Sequence, residues 1–301
     1  MALQKLSHAT LRTPDLERSV EFHKETLCLE EMERVGGKVY LSCGIDGAFD
    51  VAMIQGGTGV ESFAIAADDE QDLADIGRRV VAAGGAIRDM TDPEPGVAKA
   101  LEFDLPPQKQ KMQIVVLKDE RRQHYFSPGA RQANRKGGLS PQDLDHITLR
   151  VGPDATTTLN YLIDVIGFRA SDIVEFPGGQ SRLAAWLHVG DYHHDVAMFA
   201  GAPHETLDHL AWTIPNIEHM KMMLDQIANS DIETEAGPGR HGVGSNLYSY
   251  FRTPDGNRYE LSGEMPRCVD RKAGPKVWRA DQPGIFSAWG APFPESFKTG
   301  S

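Results

Sequence analysis

Cysteine is scarce in this chain, and so is positive charge. The three cysteines, Cys28, Cys43 and Cys268, are odd in number and have no metal-ligand spacing, which argues against a disulfide framework and suits a reducing compartment. Lys and Arg number 31 against 43 Asp and Glu, a formal charge of −12, so neither nucleic acid nor an anionic membrane is an expected partner. No run of about 18 apolar residues occurs, and the N-terminus lacks a charged-then-apolar export segment. The expectation is a soluble cytoplasmic protein. Core-forming material is plentiful: 40% of the 301 residues are hydrophobic, and the length suggests about two domains.

Those two domains are related by an internal duplication. Leu6-Ser7-His8-Ala9-Thr10-Leu11-Arg12 matches Leu144-Asp145-His146-Ile147-Thr148-Leu149-Arg150 at an offset of 138, and Asp50-Val51-Ala52-Met53 matches Asp195-Val196-Ala197-Met198 at 145. Continuing the alignment sets Phe49 against His194, Phe63 against His209 and Gln113 against Glu260. One half therefore keeps His146, His194, His209 and Glu260 at repeat-equivalent places, while the other has mostly apolar or neutral residues there. Two His and one carboxylate are what a non-haem Fe(II) site needs.

Within each half the pattern divides again. A strand-like stretch opens four modules, at Ser7 to Arg12, Ser62 to Ala66, Asp145 to Val151 and Asp208 to Ile214, and a helix-like stretch follows each. Shorter strands such as Ser181 to Leu187 and Asp195 to Phe199 complete them. The predicted class is α+β, with four βαβββ modules paired into two domains, each a curved mixed sheet enclosing a cup. The expected divisions are 1–135, a domain without the site; 136–265, the domain with it; and 266–301, an irregular tail. Trp278, Phe286, Trp289, Phe293 and Phe297 are too many aromatics for a solvated segment, so the tail is expected to pack back on a domain or close over the cup as a lid.

Pseudo-symmetry puts His146 and His209 on the first strands of their modules, and His194 and Glu260 on the corresponding last strands. One hairpin decides what stands beside Glu260. If Pro254, Asp255 and Gly256 form a three-residue loop, Tyr250 faces Glu260, whereas a two-residue loop would pair Phe251 with it.

The series Gly239-Arg240-His241, then Tyr250-Phe251-Arg252-Thr253-Pro254-Asp255-Gly256 and Glu260, resembles the signature of the type I extradiol ring-cleavage dioxygenases of the vicinal oxygen chelate superfamily. It departs at Ser249, where the family usually has an apolar residue. Trp186-Leu187-His188 followed by His194-Asp195 is similar to the homoprotocatechuate and catechol 2,3-dioxygenase branch, and the likeness runs over roughly residues 5 to 265. The resemblance implies that His146, His209 and Glu260 bind Fe(II), or Mn(II) as in some relatives. It implies that a catechol and O2 take the remaining positions, with ring cleavage beside the diol to a hydroxymuconic semialdehyde. It makes His194 the acid–base residue, with His241 and Tyr250 hydrogen-bonding the substrate oxygens, Trp186 a pocket wall, Arg240 a candidate for a substrate carboxylate, and His188 either pocket lining or scaffold. A homo-oligomer is implied as well, with a tetramer as the suggested form.

Plainer readings hold elsewhere. A histidine in a strand or helix is usually a satisfied core or surface residue, the reading given to His8, His23, His124, His204 and His219; His193 is expected to turn away from His194 by strand alternation. Two other functions compete with the dioxygenase. A non-redox glyoxalase or isomerase would be expected to place carboxylates at both module ends, where this chain has His194 at one, and a ligand-sequestering binding protein would lack the ligands altogether.

Overall fold

The computed structural model describes residues 3–44, 48–118, 139–270 and 272–301. The boundary expected near 135 and His124 lie outside the described residues. Four βαβββ modules follow one another. The first comprises β1 (Leu3–Thr13), α1 (Leu16–Glu25), β2 (Glu30–Val35), β3 (Lys38–Ser42) and β4 (Val51–Gln55). The second is β5 (Val60–Ala67), α2 (Glu70–Ala82), β6 (Arg88–Thr91), β7 (Val97–Leu105) and β8 (Gln110–Leu117). The third is β9 (Asp143–Arg150), α3 (Thr156–Tyr161), β10 (Arg169–Glu175), β11 (Arg182–His188) and β12 (Val196–Phe199). The fourth is β13 (Leu207–Ile214), α4 (Ile217–Ala228), β14 (Thr234–Arg240), β15 (Leu247–Arg252) and β16 (Arg258–Gly263).

Each pair of modules builds one mixed sheet. The first sheet runs β2-β3-β4-β1-β5-β8-β7-β6, and the second β14-β15-β16-β13-β9-β12-β11-β10 with one added strand, β17 (Lys276–Arg279), at its edge. The two module-opening strands pair antiparallel at the centre, β1 with β5 and β9 with β13, and each last strand lies parallel to its own first strand. The α+β class and the arrangement of modules are as expected. The tail is less irregular than expected: residues 276–279 pair parallel with β10. That strand depends on an edge elsewhere in the chain, so local pattern could not announce it.

Local chemistry starts three of the helices. Asp15, Asp69 and Asn216 each accept backbone N–H bonds from the first turn, the usual way of satisfying orphan donors there. The helices carry their apolar faces, among them Val20, Phe22, Ile76, Val80, Met220 and Met223, into a core that spans both halves. Helix α1 reaches the other half directly: Ser19 Oγ donates to Asp255 Oδ2 at 3.0 Å, and His23 Nε2 lies 2.6 Å from Tyr259 Oη. His23 and His219 are thus buried core residues, the latter with Nε2 3.1 Å from the Ser140 carbonyl. Among the described residues no helix is long and apolar enough to cross a membrane.

The duplication shows in register. Ala9 pairs with Val51 as Ile147 pairs with Val196, and Ala64 pairs with Gln113 as Ala211 pairs with Glu260. One expected equivalence is corrected. Phe63 pairs with Ala9 and Met112, as Leu210 pairs with Ile147 and Tyr259, so Phe63 corresponds to Leu210. The residue at the place of His209 is Ser62, which pairs with Thr10 as His209 pairs with Thr148.

Candidate active site

Alternation along β9 sends His146 and Thr148 to one face, and the ladder carries that face across the sheet through Ala197 and Trp186 on one side and through Ala211, Glu260 and Tyr250 on the other. The hairpin after Tyr250 takes its three-residue form. Thr253 N–H donates to the Asn257 carbonyl at 2.9 Å, enclosing Pro254, Asp255 and Gly256, and Gly256 has φ +92°, a conformation glycine adopts without strain. Tyr250 therefore faces Glu260.

Three ligand atoms converge at the centre of the cup. His146 Nε2 and His209 Nε2 are 3.2 Å apart, and Glu260 Oε2 lies 3.2 Å from the first and 3.0 Å from the second. All three residues are buried. Despite those contacts Glu260 Oε2 has no hydrogen-bond partner, and an orphaned buried carboxylate oxygen costs several kcal/mol in order of magnitude unless a cation or donor meets it. Spacings of about 3 Å are those of three ligand atoms on one face of a metal ion, each roughly 2.1 Å from it. The residues fit a divalent metal.

The outer nitrogens are set by a repeated pair. Asp145 Oδ1 lies 2.6 Å from His146 Nδ1, and Asp208 Oδ1 lies 2.7 Å from His209 Nδ1. Each carboxylate accepts from Nδ1–H and leaves Nε2 free to coordinate, the orientation metal-binding histidines usually receive. Burial opposes ionisation of Asp208, but His209, Arg150 and Arg258 beside it bring its carboxyl down to about 2. For His146 burial opposes the charge while Asp145 and Glu260 favour it, and the ring rises to about 9, so metal binding there displaces a proton. These supporting aspartates were not singled out in the sequence, although Asp-His occurs at both first-strand positions. Thr148 Oγ1, 2.9 Å from His209 Nε2, and Asn246 Nδ2, 3.4 Å from Glu260 Oε1, were missed as well.

His194 joins the cluster from the loop just ahead of β12, and not from a last strand as expected. Its ring centroid is 4.1 Å from that of His146. Burial, and then the neighbouring His146 and His193, hold its pKa well below the ordinary histidine value, so the ring is neutral. Tyr250 Oη lies 3.0 Å from His241 Nε2, and His241 Nδ1 donates to the Phe286 carbonyl at 2.6 Å. Burial and the Glu260 charge raise the Tyr250 phenol well above its usual value, so it stays protonated. Trp186 is in the cup wall, edge-on to Phe199 at 5.5 Å. The tail packs over the same cup, with Phe293 stacked 5.2 Å from Tyr248 and Phe297 4.9 Å from Tyr250.

Two expected residues are not brought to the ligands. Arg240 directs its guanidinium to Glu264 at 2.6 Å and to the Ser245 carbonyl at 2.7 Å. His188 sits with Ser171 at 2.6 Å and Arg169 at 3.1 Å. His193 is corrected in the other direction. Its Nδ1 lies 3.0 Å from His194 Nδ1, because the segment is a loop where strand alternation does not apply.

Residues 143–261 match the Glyoxalase/Bleomycin resistance protein/Dioxygenase superfamily. That segment is a domain of the superfamily. A metapyrocatechase of Geobacillus stearothermophilus is 28% identical over 97% of this chain and 91% of its own length. A manganese-dependent 2,3-dihydroxybiphenyl 1,2-dioxygenase of Geobacillus genomosp. 3 is 25% identical over 92% and 90%. The crystal structure of the 2,3-dioxygenase LapB from Pseudomonas sp. KL28 superposes with a TM-score of 0.83 at 22% identity, covering 93% of this chain and 99% of that one. That likeness shows the shared fold. The resemblance to the extradiol dioxygenases of the superfamily, read from the residues around Glu260, is borne out by these relatives.

Proposed function

We propose that this protein is a metal-dependent extradiol dioxygenase that opens a catechol ring next to its diol with O2. The observation that carries the reading is the buried His146–His209–Glu260 cluster, with a neutral His194 against it on one side and the Tyr250–His241 pair on the other. Fe(II) is the metal we infer, since two His and one carboxylate on a single face are typical of non-haem iron oxygenases; the manganese-dependent relative makes Mn(II) the alternative to test. The bound metal would supply the coordination site at which the diol oxygens and O2 meet.

The chain's own residues supply the rest. Tyr250, protonated and held beside His241, hydrogen-bonds a substrate oxygen through its phenol and fixes how the ring lies. His194, neutral and buried, takes a proton released during the reaction and returns it, work that suits an imidazole. Asp145 and Asp208 hold the liganding rings. Trp186 and Ala197, on the same face of the sheet as His146 and Thr148, form an apolar wall with Ala184, Val243 and Ile285 packed against them. With Arg240 committed to Glu264, such a wall favours an uncharged alkyl or aryl substituent over a carboxylate.

Anaerobic metal loading followed by an oxygen-uptake screen over neutral and carboxylated catechols tests the reading. The expected result is one O2 per ring, a yellow ring-opened semialdehyde product and no external reductant, because all four electrons come from the substrate. Iron- or manganese-loaded protein that consumes no oxygen with any catechol, yet turns over a glutathione hemithioacetal, would overturn it.

A further inference from the structure

His194 is tied into a chain of buried polar groups that leads away from the metal ligands. Its Nδ1 meets His193 Nδ1 at 3.0 Å, and His193 Nε2 meets Asp172 Oδ2 at 2.6 Å. His194, His193 and Asp172 are 3%, 8% and 5% exposed. The other carboxylate oxygen of Asp172 accepts from Trp278 Nε1 at 2.6 Å, which brings β17 of the tail into the arrangement. The His193 backbone is held at both ends: its N–H donates to the Pro266 carbonyl at 2.8 Å, and its carbonyl accepts from Ser171 Oγ at 2.6 Å.

Hydrogen counting then fixes the tautomers. A carboxylate only accepts, so Asp172 requires a hydrogen on His193 Nε2; when that is the ring's one hydrogen, Nδ1 is left as a lone pair. Two nitrogens at 3.0 Å need one hydrogen between them. His194 Nδ1 must supply it, which leaves His194 Nε2, on the far side of the ring, without one. The first half has Ala48 and Phe49 where the second has His193 and His194.

We propose that Asp172 and His193 are positioning residues that lock His194 in the tautomer with a bare Nε2, ready to accept a proton from the substrate. The inference rests on the acid–base role given to His194 above. Asp172→Asn tests it, because a side-chain amide can donate to His193 Nε2 and so reverse both tautomers, while Asp172→Glu keeps the acceptor.

Two-bond 15N–1H spectra of the full-length, 15N-histidine-labelled protein read the tautomers directly. The expected wild-type pattern is hydrogen on Nε2 of His193 and on Nδ1 of His194, exchanged to the opposite nitrogens in Asp172→Asn. In the metal-loaded enzyme Asp172→Asn should lower kcat by about 10–100-fold, the usual cost of losing an orienting partner, with catechol KM and metal content unchanged and with part of the loss restored in Asp172→Glu. A wild-type spectrum with the His194 hydrogen on Nε2 overturns the proposal even if no variant folds, as does an Asp172→Asn enzyme with unaltered kcat or with depleted metal. Absence of oxygen uptake by the wild type with every catechol would instead remove the dioxygenase reading, while the spectra would still decide the tautomers.

Discussion

The two halves share one scaffold down to the stacking of single rings, yet among the described residues only the second gathers a set of ligands that could hold a metal. In the second half the ring of His194 lies 4.1 Å from that of His146; in the first, Phe49 lies 4.2 Å from His8. Where Glu260 presents an orphaned oxygen to two imidazoles, Gln113 donates to Glu102 at 2.9 Å. Ser62 stands where His209 does. The first cup is filled instead by Tyr40, Phe49, Ala52, Ala64, Ala66, Val97, Ala100 and Val115, with His8 paired to Glu94 at 3.2 Å and Glu94 to Lys38 at 2.6 Å. Fold and chemistry are therefore separable here. The βαβββ pairing depends on register and apolar faces, and the metal site is a set of side chains placed on it.

The sharpest way to break that comparison is to make the second half resemble the first. Glu260→Gln copies Gln113, and His209→Ser copies Ser62. Each should leave the chain folded with metal content well below one equivalent and oxygen uptake below detection. The unaltered protein should hold one metal per chain, because among the described residues the first cup offers neither a second imidazole nor an unpaired carboxylate. Metal analysis showing two equivalents, or full occupancy after either change, would contradict the assignment.

A smaller effect is expected from His194→Phe, which copies Phe49. The scaffold already accepts an aromatic ring at that place, so folding and metal content should be preserved. Turnover should fall by about 10²–10⁴, the usual worth of general acid–base assistance, while the catechol still binds under anaerobic conditions. Loss of metal in this variant would make His194 a ligand; unchanged turnover would remove its acid–base role.

Much of this architecture was readable from the residues because its determinants are local or repeated. The residues narrowed the partner of Glu260 to Tyr250 or Phe251, and the three-residue Pro254-Asp255-Gly256 connection, with Gly256 at positive φ, gives Tyr250. The slip between Phe63 and Ser62 came from extending an offset across a variable loop. The caps Asp69 and Asn216 and the shared Ala64 and Ala211, all 147 apart, carry the correct register, and a one-residue error in a strand reverses every side chain. His193 escapes strand alternation because the chain is not extended there. The pairing of β17 with β10 and the reach of Trp278 to Asp172 are tertiary contacts over more than 100 residues, with no local signature.

The first half has an acid response of its own. Burial of Glu94 disfavours its charge, but His8 and Lys38 outweigh that and bring its carboxyl down to about 2 from an ordinary 4.5. A depressed folded value means that the stabilisation is complete above pH 4.5 and is lost as pH falls from there through about 2; it amounts to roughly 1–3 kcal/mol for a largely buried carboxylate. Glu94→Gln should therefore lower stability near neutral pH by that order and flatten the acid limb of the unfolding profile, with metal content and kcat unchanged. An unaltered acid limb would show that the pair contributes nothing to folding.

The smallest effect, and the one that tests the comparison from the opposite side, is expected of Phe49→His. It restores in the first half the residue that the second half uses beside its metal, and it sets two imidazoles, His8 and the new one, side by side. It should nevertheless recruit no metal. Ser62 and Gln113 remain at the places of His209 and Glu260, and Glu94 is already engaged by His8 and Lys38. The new ring would also be buried against Tyr40, whose centroid lies 4.8 Å from that of Phe49, so an unmatched nitrogen there should cost about 1–3 kcal/mol. Metal stoichiometry should stay at one and oxygen uptake at the wild-type rate. A second equivalent of metal in Phe49→His would mean that the first cup lacks only this one side chain, and that the separation of scaffold from chemistry is narrower than the two registers imply.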